Sequence, residues 1–182
     1  MGNIHVKDRR RKCSNHQNNI TLFRPTDQEP ILSDTDGRLL TEVWSRLKDD
    51  IHKVGVITFV SLFETHPEVH DAFMSFRAIN TSELEYNAIL RQHALRVMGT
   101  VDKCITRLDN REKLRELMAE LGIRHKNYSV KIEFIDLMGP QFISSIKPHL
   151  HHIWTEEHER AWENLFRLMC YHMKKGMCSI QD

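Results

Sequence analysis

The residues that break helices are scarce: 7 Gly and 5 Pro in 182 residues. Long stretches without either argue against many short strands joined by tight turns, and in favour of helices. Cysteine is scarce too. Cys13, Cys104, Cys170 and Cys178 show no paired spacing and no C-x-x-C; this excludes a disulfide framework and reads as thiols kept in a reducing compartment. No apolar run is long enough to cross a membrane, and the N-terminus has no secretory apolar core. A Gly-rich phosphate loop, a nucleophile elbow and a plausible carboxylate pair are all missing. The formal net charge of +1 points to no class of partner by itself.

What is present is an ordinary globular composition, 40% hydrophobic and 28% charged. The length suits one domain plus tails. The charge is uneven, because Lys7, Arg9, Arg10, Arg11 and Lys12 crowd the N-terminus. Residues 1–32 are polar, basic and Asn-rich, with Pro25 and Pro30 bracketing a linker and no helical period; they read as a disordered extension. Residues 33–177 read as the folded domain and 178–182 as a short tail. No aromatic residue interleaves with the basic run before Phe23, so nucleic acid is not an expected partner.

Across the folded part the apolar residues recur at three- and four-residue steps, and the fold class is all-α. Ser33 or Asp36 caps a first helix carrying Leu40, Val43, Trp44, Leu47 and Ile51. A second carries Val54, Ile57, Leu62 and Phe63 and ends at His66-Pro67, since the residue before a proline is pushed out of the α region. Pro67 suits the first turn of a short helix leading to Phe73 and Phe76. Thr81 or Ser82 is then expected to cap a long helix from about Glu83 to Leu108. Its buried stripe is Tyr86, Leu90, His93, Val97, Val101, Cys104 and Leu108. Another, from about Arg111 to His125, carries Leu114, Leu117, Met118, Leu121 and His125 on one face. Ser129–Lys147 shows helical spacing with Gly139-Pro140 in its interior, where a kink or division is expected. Thr155, Glu156 and Glu157 open the last helix, which carries Trp162, Leu165, Phe166, Met169 and Met173 and is expected to close at Lys174-Lys175-Gly176.

His93 and His125 are the chemically informative residues. Each sits on an apolar stripe, and the plain reading of one such histidine is a core imidazole hydrogen-bonded to a carbonyl. Two of them on separate helices change the balance. Val97 follows His93 by one turn, Leu121 precedes His125 by one turn, and Phe59 and Phe73 come from elements able to pack alongside. An apolar pocket with two convergent imidazoles suits a haem iron: nitrogen ligands for the metal and apolar walls for the porphyrin. Zinc would call for more ligands at short spacing, and none cluster there.

Taken in order, these landmarks resemble the globins. The resemblance runs from about Ser33 to Met177 and rests on Trp44, Phe59, Phe63, Pro67, Phe73, His93 with Val97, His125 within Leu-Gly-Ile-Arg-His-Lys, Val130 and Trp162. Gly55, the Val97-Met98 pair, Asp102 and the run from Leu121-Gly122 to Val130-Lys131 are most similar to the globin X and neuroglobin-like group. The resemblance implies about eight helices around a haem pocket, haem b (iron protoporphyrin IX) as cofactor, His125 as proximal ligand and His93 as distal histidine. It implies that Phe59 and Val97 shape the distal side, that Phe73 stacks on the porphyrin, and that Leu121, Val130 and Ile135 belong to the proximal side. Arg96 either reaches a propionate at the pocket mouth or is simply solvated. Members of this group commonly ligate iron through both histidines. Some also carry a disulfide before the distal helix, but residues 73–85 here hold no cysteine.

Met1-Gly2 begins like an N-myristoylation site, with Val6 departing from the Ser/Thr of the motif. One acyl chain holds a membrane only weakly; Lys7–Lys12 on anionic lipid and a palmitoyl group on Cys13 are the second signals on offer. The resemblance to X-type globins, known for acylated N-termini, supports Gly2 and Cys13 as lipidation sites, against a plain basic tail or a nuclear-localisation-like patch. The expected location is the cytoplasm or the cytoplasmic face of a membrane.

Three functions follow as expectations. The leading one is a haem protein that binds O2, CO or NO, or passes electrons, with a reductase as partner. The second is a haem redox enzyme: nitrite reductase, NO dioxygenase or lipid-protecting electron transfer. The third is a haem-free helical signalling domain in which both histidines are core.

Overall fold

The structure, a computed structural model, describes residues 28–73, 78–80, 83 and 87–179. Its α-helices are α1 (Asp34–Leu47), α2 (Ile51–Thr65), α3 (Pro67–Ala72), α4 (Ala88–Ile105), α5 (Arg111–Asn127), α6 (Met138–Ile146) and α7 (Glu156–Cys178). Short 3-10 turns span Lys48–Asp50, Ile132–Leu137 and Lys147–Leu150. There is no strand among the described residues, and the all-α expectation holds.

Several helix ends follow the side-chain chemistry read above. Ser33 and Asp36, the two candidate caps of α1, act together: the Asp36 amide donates to Ser33 Oγ at 3.1 Å, and the Ser33 amide donates to Asp36 Oδ2 at 2.9 Å. α2 stops at His66 and Pro67 opens α3. Other ends differ. α4 starts at Ala88, because Asn87 accepts from the amides of Ile89 and Leu90, both at 3.0 Å; Thr81 and Ser82 lie outside the described residues. Pro140 does not kink a helix interior. The division comes earlier, and Gly139-Pro140 falls in the first turn of α6, where the missing amide costs nothing. α7 runs past Lys174-Lys175-Gly176 to Cys178.

Gly176 is therefore an interior residue, and its reason is proximity. A Cβ on Gly176 would run into the carbonyl of Ala119 on α5, and one on Gly122 would run into the carbonyl of Met173 on α7. The two glycines let α5 and α7 meet backbone to backbone, the most extensive helix contact in the fold. On the other side α2 lies on α4 and α6. Gly55 makes the first crossing tight, since a Cβ there would stand 2.9 Å from Met98 Cγ and 3.3 Å from Ala94. Trp44 ties α1 to α4 through Nε1, which donates to Asp102 Oδ1 at 2.7 Å.

The core forms two clusters. The larger gathers Leu40, Trp44, Leu114, Met118, Phe142 and Trp162, among others. The smaller contains Val56, Phe59, Leu62, Phe63, Val69, Leu90 and Ala94. Val97 and Met138 touch both clusters, yet each is only partly buried. Several of the residues singled out from the sequence lie along this seam.

Candidate functional site

The late start of α4 places His93 in its second turn, on the face that α4 turns toward α2. The ring is half-buried. Phe59 meets it edge-on, with centroids 5.0 Å apart, and Phe73 does the same at 5.5 Å. The two phenyl rings are themselves 6.3 Å apart and nearly perpendicular. Such edge-to-face contacts fix the orientation of the imidazole without satisfying its nitrogens. Burial pushes the His93 pKa down to about 4, with lesser contributions from the positive charges of His125 and Arg96. That coupling places His125 within electrostatic reach of His93.

His125 sits in the last turns of α5, one turn after Leu121. Its Nδ1 lies 2.8 Å from the Leu121 carbonyl oxygen. A carbonyl can only accept, so Nδ1 carries the proton and Nε2 is left with the lone pair. Burial lowers the His125 pKa, and the Leu121 hydrogen bond opposes part of that shift. The chain then reverses. Ser129 takes a left-handed backbone, φ 59°, and the Val130 amide donates back to the His125 carbonyl at 3.1 Å. This turn brings Val130 onto the larger cluster beside Leu121, both half-buried.

Ile135 is buried in the larger cluster, where its carbonyl accepts from Cys170 Sγ at 3.3 Å. Arg96 is exposed on α4. The structure thus groups Phe59, Phe73 and His93 on the side of the smaller cluster, and Leu121, Val130 and Ile135, with His125 bonded to Leu121, on the side of the larger, while Val97 touches both. Gly2 and Cys13 lie outside the described residues. His149, His151 and His152 are exposed, and among the described residues no three His, Cys, Asp or Glu side chains are placed to hold a metal ion.

Helical spacing across Ser129–Lys147 does not single out Phe134, Leu137 or Met138. The cause is the 3-10 segment Ile132–Leu137. With three residues per turn, positions i and i+3 share a face. Phe134 and Leu137 accordingly pack on the smaller cluster, while Ile132 and Ile135 pack on the larger. A search for period three, rather than 3.6, would have found them.

A helical fold with a histidine on each side of a divided core is a known architecture, and the comparisons identify it. The globin family model matches residues 57–173, and the chain belongs to the globin family. Its relatives in that family include both cytoglobins and neuroglobins. It is 28% identical over 148 residues to cytoglobin-1 of Oryzias latipes, covering 79% of this chain and 82% of that one. It is 25% identical over 146 residues to neuroglobin of Tetraodon nigroviridis, covering 80% and 92%. Among solved structures, a hexacoordinated heme protein from an anhydrobiotic tardigrade, determined at pH 4, superposes with a TM-score of 0.76 at 20% identity, over 81% of this chain and 96% of that one. That likeness bears on the fold.

The residues at the seam fit a haem. His125 has one ring nitrogen committed to a carbonyl and the other available to a metal. The side chains between the clusters are apolar and only partly buried, as the walls of a cleft for a flat apolar group must be.

Proposed function

We propose that this globin holds haem b between α4 and α5, with His125 as proximal and His93 as distal ligand, and binds O2, CO or NO or passes electrons there. The observation that carries the reading is the hydrogen bond from His125 Nδ1 to Leu121, which sets tautomer and ring orientation together. When bound, the haem supplies an iron that takes axial ligands and changes oxidation state.

The chain's own residues do the rest. His93 and His125 are both held unprotonated near neutral pH by burial, so each presents a lone pair rather than a charge. Phe59 and Phe73 both meet the His93 ring edge-on and fix its orientation. Val97 and Phe59 line the distal side, Phe73 stacks on the macrocycle, and Leu121, Val130 and Ile135 back the proximal side. Arg96, exposed beside His93, reaches for a propionate. If both histidines held the iron, His93 would compete with any diatomic, and apparent affinity would be scaled down by the fraction of molecules in which that site is open.

The test is an absorbance spectrum of the reconstituted protein. Two-histidine ligation gives a Soret band and sharp low-spin ferrous bands that disappear in His93→Ala. A spectrum without a Soret band refutes the haem reading; one unchanged in His93→Ala refutes distal ligation.

The N-terminus is proposed as a separate membrane signal, with acyl groups on Gly2 and Cys13 and the basic run against anionic lipid. No helix among the described residues is long and apolar enough to cross a membrane. Gly2→Ala is expected to release the protein from a membrane fraction; an unchanged distribution would refute acylation there.

A further inference from the structure

Away from the histidine pair, a cleft of about 470 Å³ opens between residues 28–41, the end of α4, the start of α5 and the last third of α7. Its floor is apolar, formed by Leu32, Ile105, Leu114 and Leu168, all buried. One polar group lies among them. His172 is 5% exposed, and its Nε2 has no hydrogen-bond partner.

What faces that nitrogen is a carboxylate on a strap. Glu29 Oε1 stands 3.2 Å from His172 Nε2, out of line for a hydrogen bond, and 3.0 and 3.1 Å from Nη2 and Nε of Arg115. The same strap is fastened by Arg111, which donates to the Leu32 carbonyl at 2.9 Å. A guanidinium and a buried imidazole thus converge on one carboxylate above an apolar floor. Glu29 fills that seat imperfectly, since its carboxylate approaches Nε2 without completing a hydrogen bond. A carboxylate not tied to the chain is free to align with both donors.

We propose that the cleft is a binding site for an amphipathic monocarboxylate, whose head group replaces Glu29 on Arg115 and His172 and whose alkyl chain lies on Leu114, Leu168 and Ile105. The charge count favours a single negative charge. With Glu29 displaced, Arg38, Arg111 and Arg115 at the rim face Asp34 and Asp109, an excess of one cation. A dianion would meet the two aspartates. The volume lies in the range of small-molecule pockets.

Octanoate is the probe, titrated calorimetrically into the full chain as purified, with amide chemical shifts locating the site. One saturable site is expected, with shifts at Leu32, Arg115 and His172. Glu29→Gln removes the internal competitor and should tighten octanoate binding severalfold. Arg115→Gln should weaken it about tenfold, as befits loss of a charge-assisted pair. Octanol, with the same tail and no charge, should bind far more weakly. The proposal is overturned if neither the wild type nor Glu29→Gln shows saturable binding, if octanol binds as well as octanoate, or if the shifts cluster around His93 and His125. Glu29→Gln alters only the strap, so its result stands even if Arg115→Gln fails to fold.

Discussion

His125 and Leu121 are joined within one turn of α5, the Nδ1–H of the first donating to the carbonyl of the second at 2.8 Å. The bond is local to the helix, so the orientation of the imidazole does not depend on any loop. It follows that replacing His125 by Gly should abolish haem retention while leaving the helix content of the protein nearly unchanged. Added imidazole, free to enter the vacated space, should restore a low-spin spectrum. Retention of haem by His125→Gly without imidazole would show that the ligand lies elsewhere.

The glycines that let α5 and α7 touch invite a paired test. Gly122→Ala or Gly176→Ala forces a methyl group against a carbonyl of the facing helix, where no flexible side chain can yield. The expected loss is roughly 3 kcal/mol or more, read from denaturant melts. Gly99 is the control. It lies mid-helix in α4, and a Cβ added there would meet nothing within 4 Å. Gly99→Ala should therefore stabilise by about 0.5–1 kcal/mol.

Trp44→Phe keeps the ring in the core but removes the donor to Asp102. Asp102 is half-buried, so water takes over part of the lost bond. The expected cost is about 1–2 kcal/mol in a thermal or chemical melt. Trp44→Phe combined with Asp102→Ala should cost less than the sum of the two single changes, because the interaction is lost only once.

Thiol chemistry should divide the cysteines. Burial pushes the thiols of Cys104 and Cys170 up to about 12. Neither forms appreciable thiolate at pH 8, and the thiolate is the reactive form. In the native protein an alkylating reagent should leave both untouched while it modifies the half-buried Cys178, as mapped by mass spectrometry. Denaturant should expose all three. Rapid native modification of Cys104 would contradict the packing of α4.

Acid should lower the stability of the fold in two stages. Burial holds the pKa of His172 below its ordinary value, against the opposing pull of Glu29. A histidine with a depressed folded pKa is protonated more readily when unfolded. Its contribution to stability is thus complete above about pH 6.5 and falls away as the pH drops below that value. Glu29 behaves differently. Burial raises its pKa, but the hydrogen bond from Arg115 and the charges of His172 and Arg115 outweigh it, and the net shift is downward. Its contribution is present above the ordinary carboxylate value and disappears below it. Hence His172→Gln should flatten the loss of stability between about pH 6.5 and 5 in a series of melts. The deficit of Glu29→Gln should shrink only at lower pH.

Much of this was legible in the sequence. The helices bounded by Ser33, by His66-Pro67 and by Thr155 carry local chemistry that allows few other outcomes, and the stripes through His93 and His125 were visible from spacing. What stayed hidden involves alternatives that look equal in one dimension. Thr81, Ser82 and Asn87 are all competent caps, and only the structure places the cap of α4 at Asn87. Gly139-Pro140 can break a helix or begin one. Gly176 resembles a terminator, but it is there to admit Ala119. The meeting of Glu29 with Arg115 and His172 joins residues far apart in the chain with no spacing rule between them.

The glycine crossing also constrains the order in which the molecule can be made. Gly122 finds its counterpart at Met173 and Ala119 at Gly176, a whole helix and more further along the chain. Domains emerge from synthesis N-terminal end first. The wall bearing His93 rests on α2, earlier in the chain, whereas α5 takes its main backing from α7. His125 is therefore seated last. A chain in which α7 has not yet docked holds only the half of the seam that bears His93.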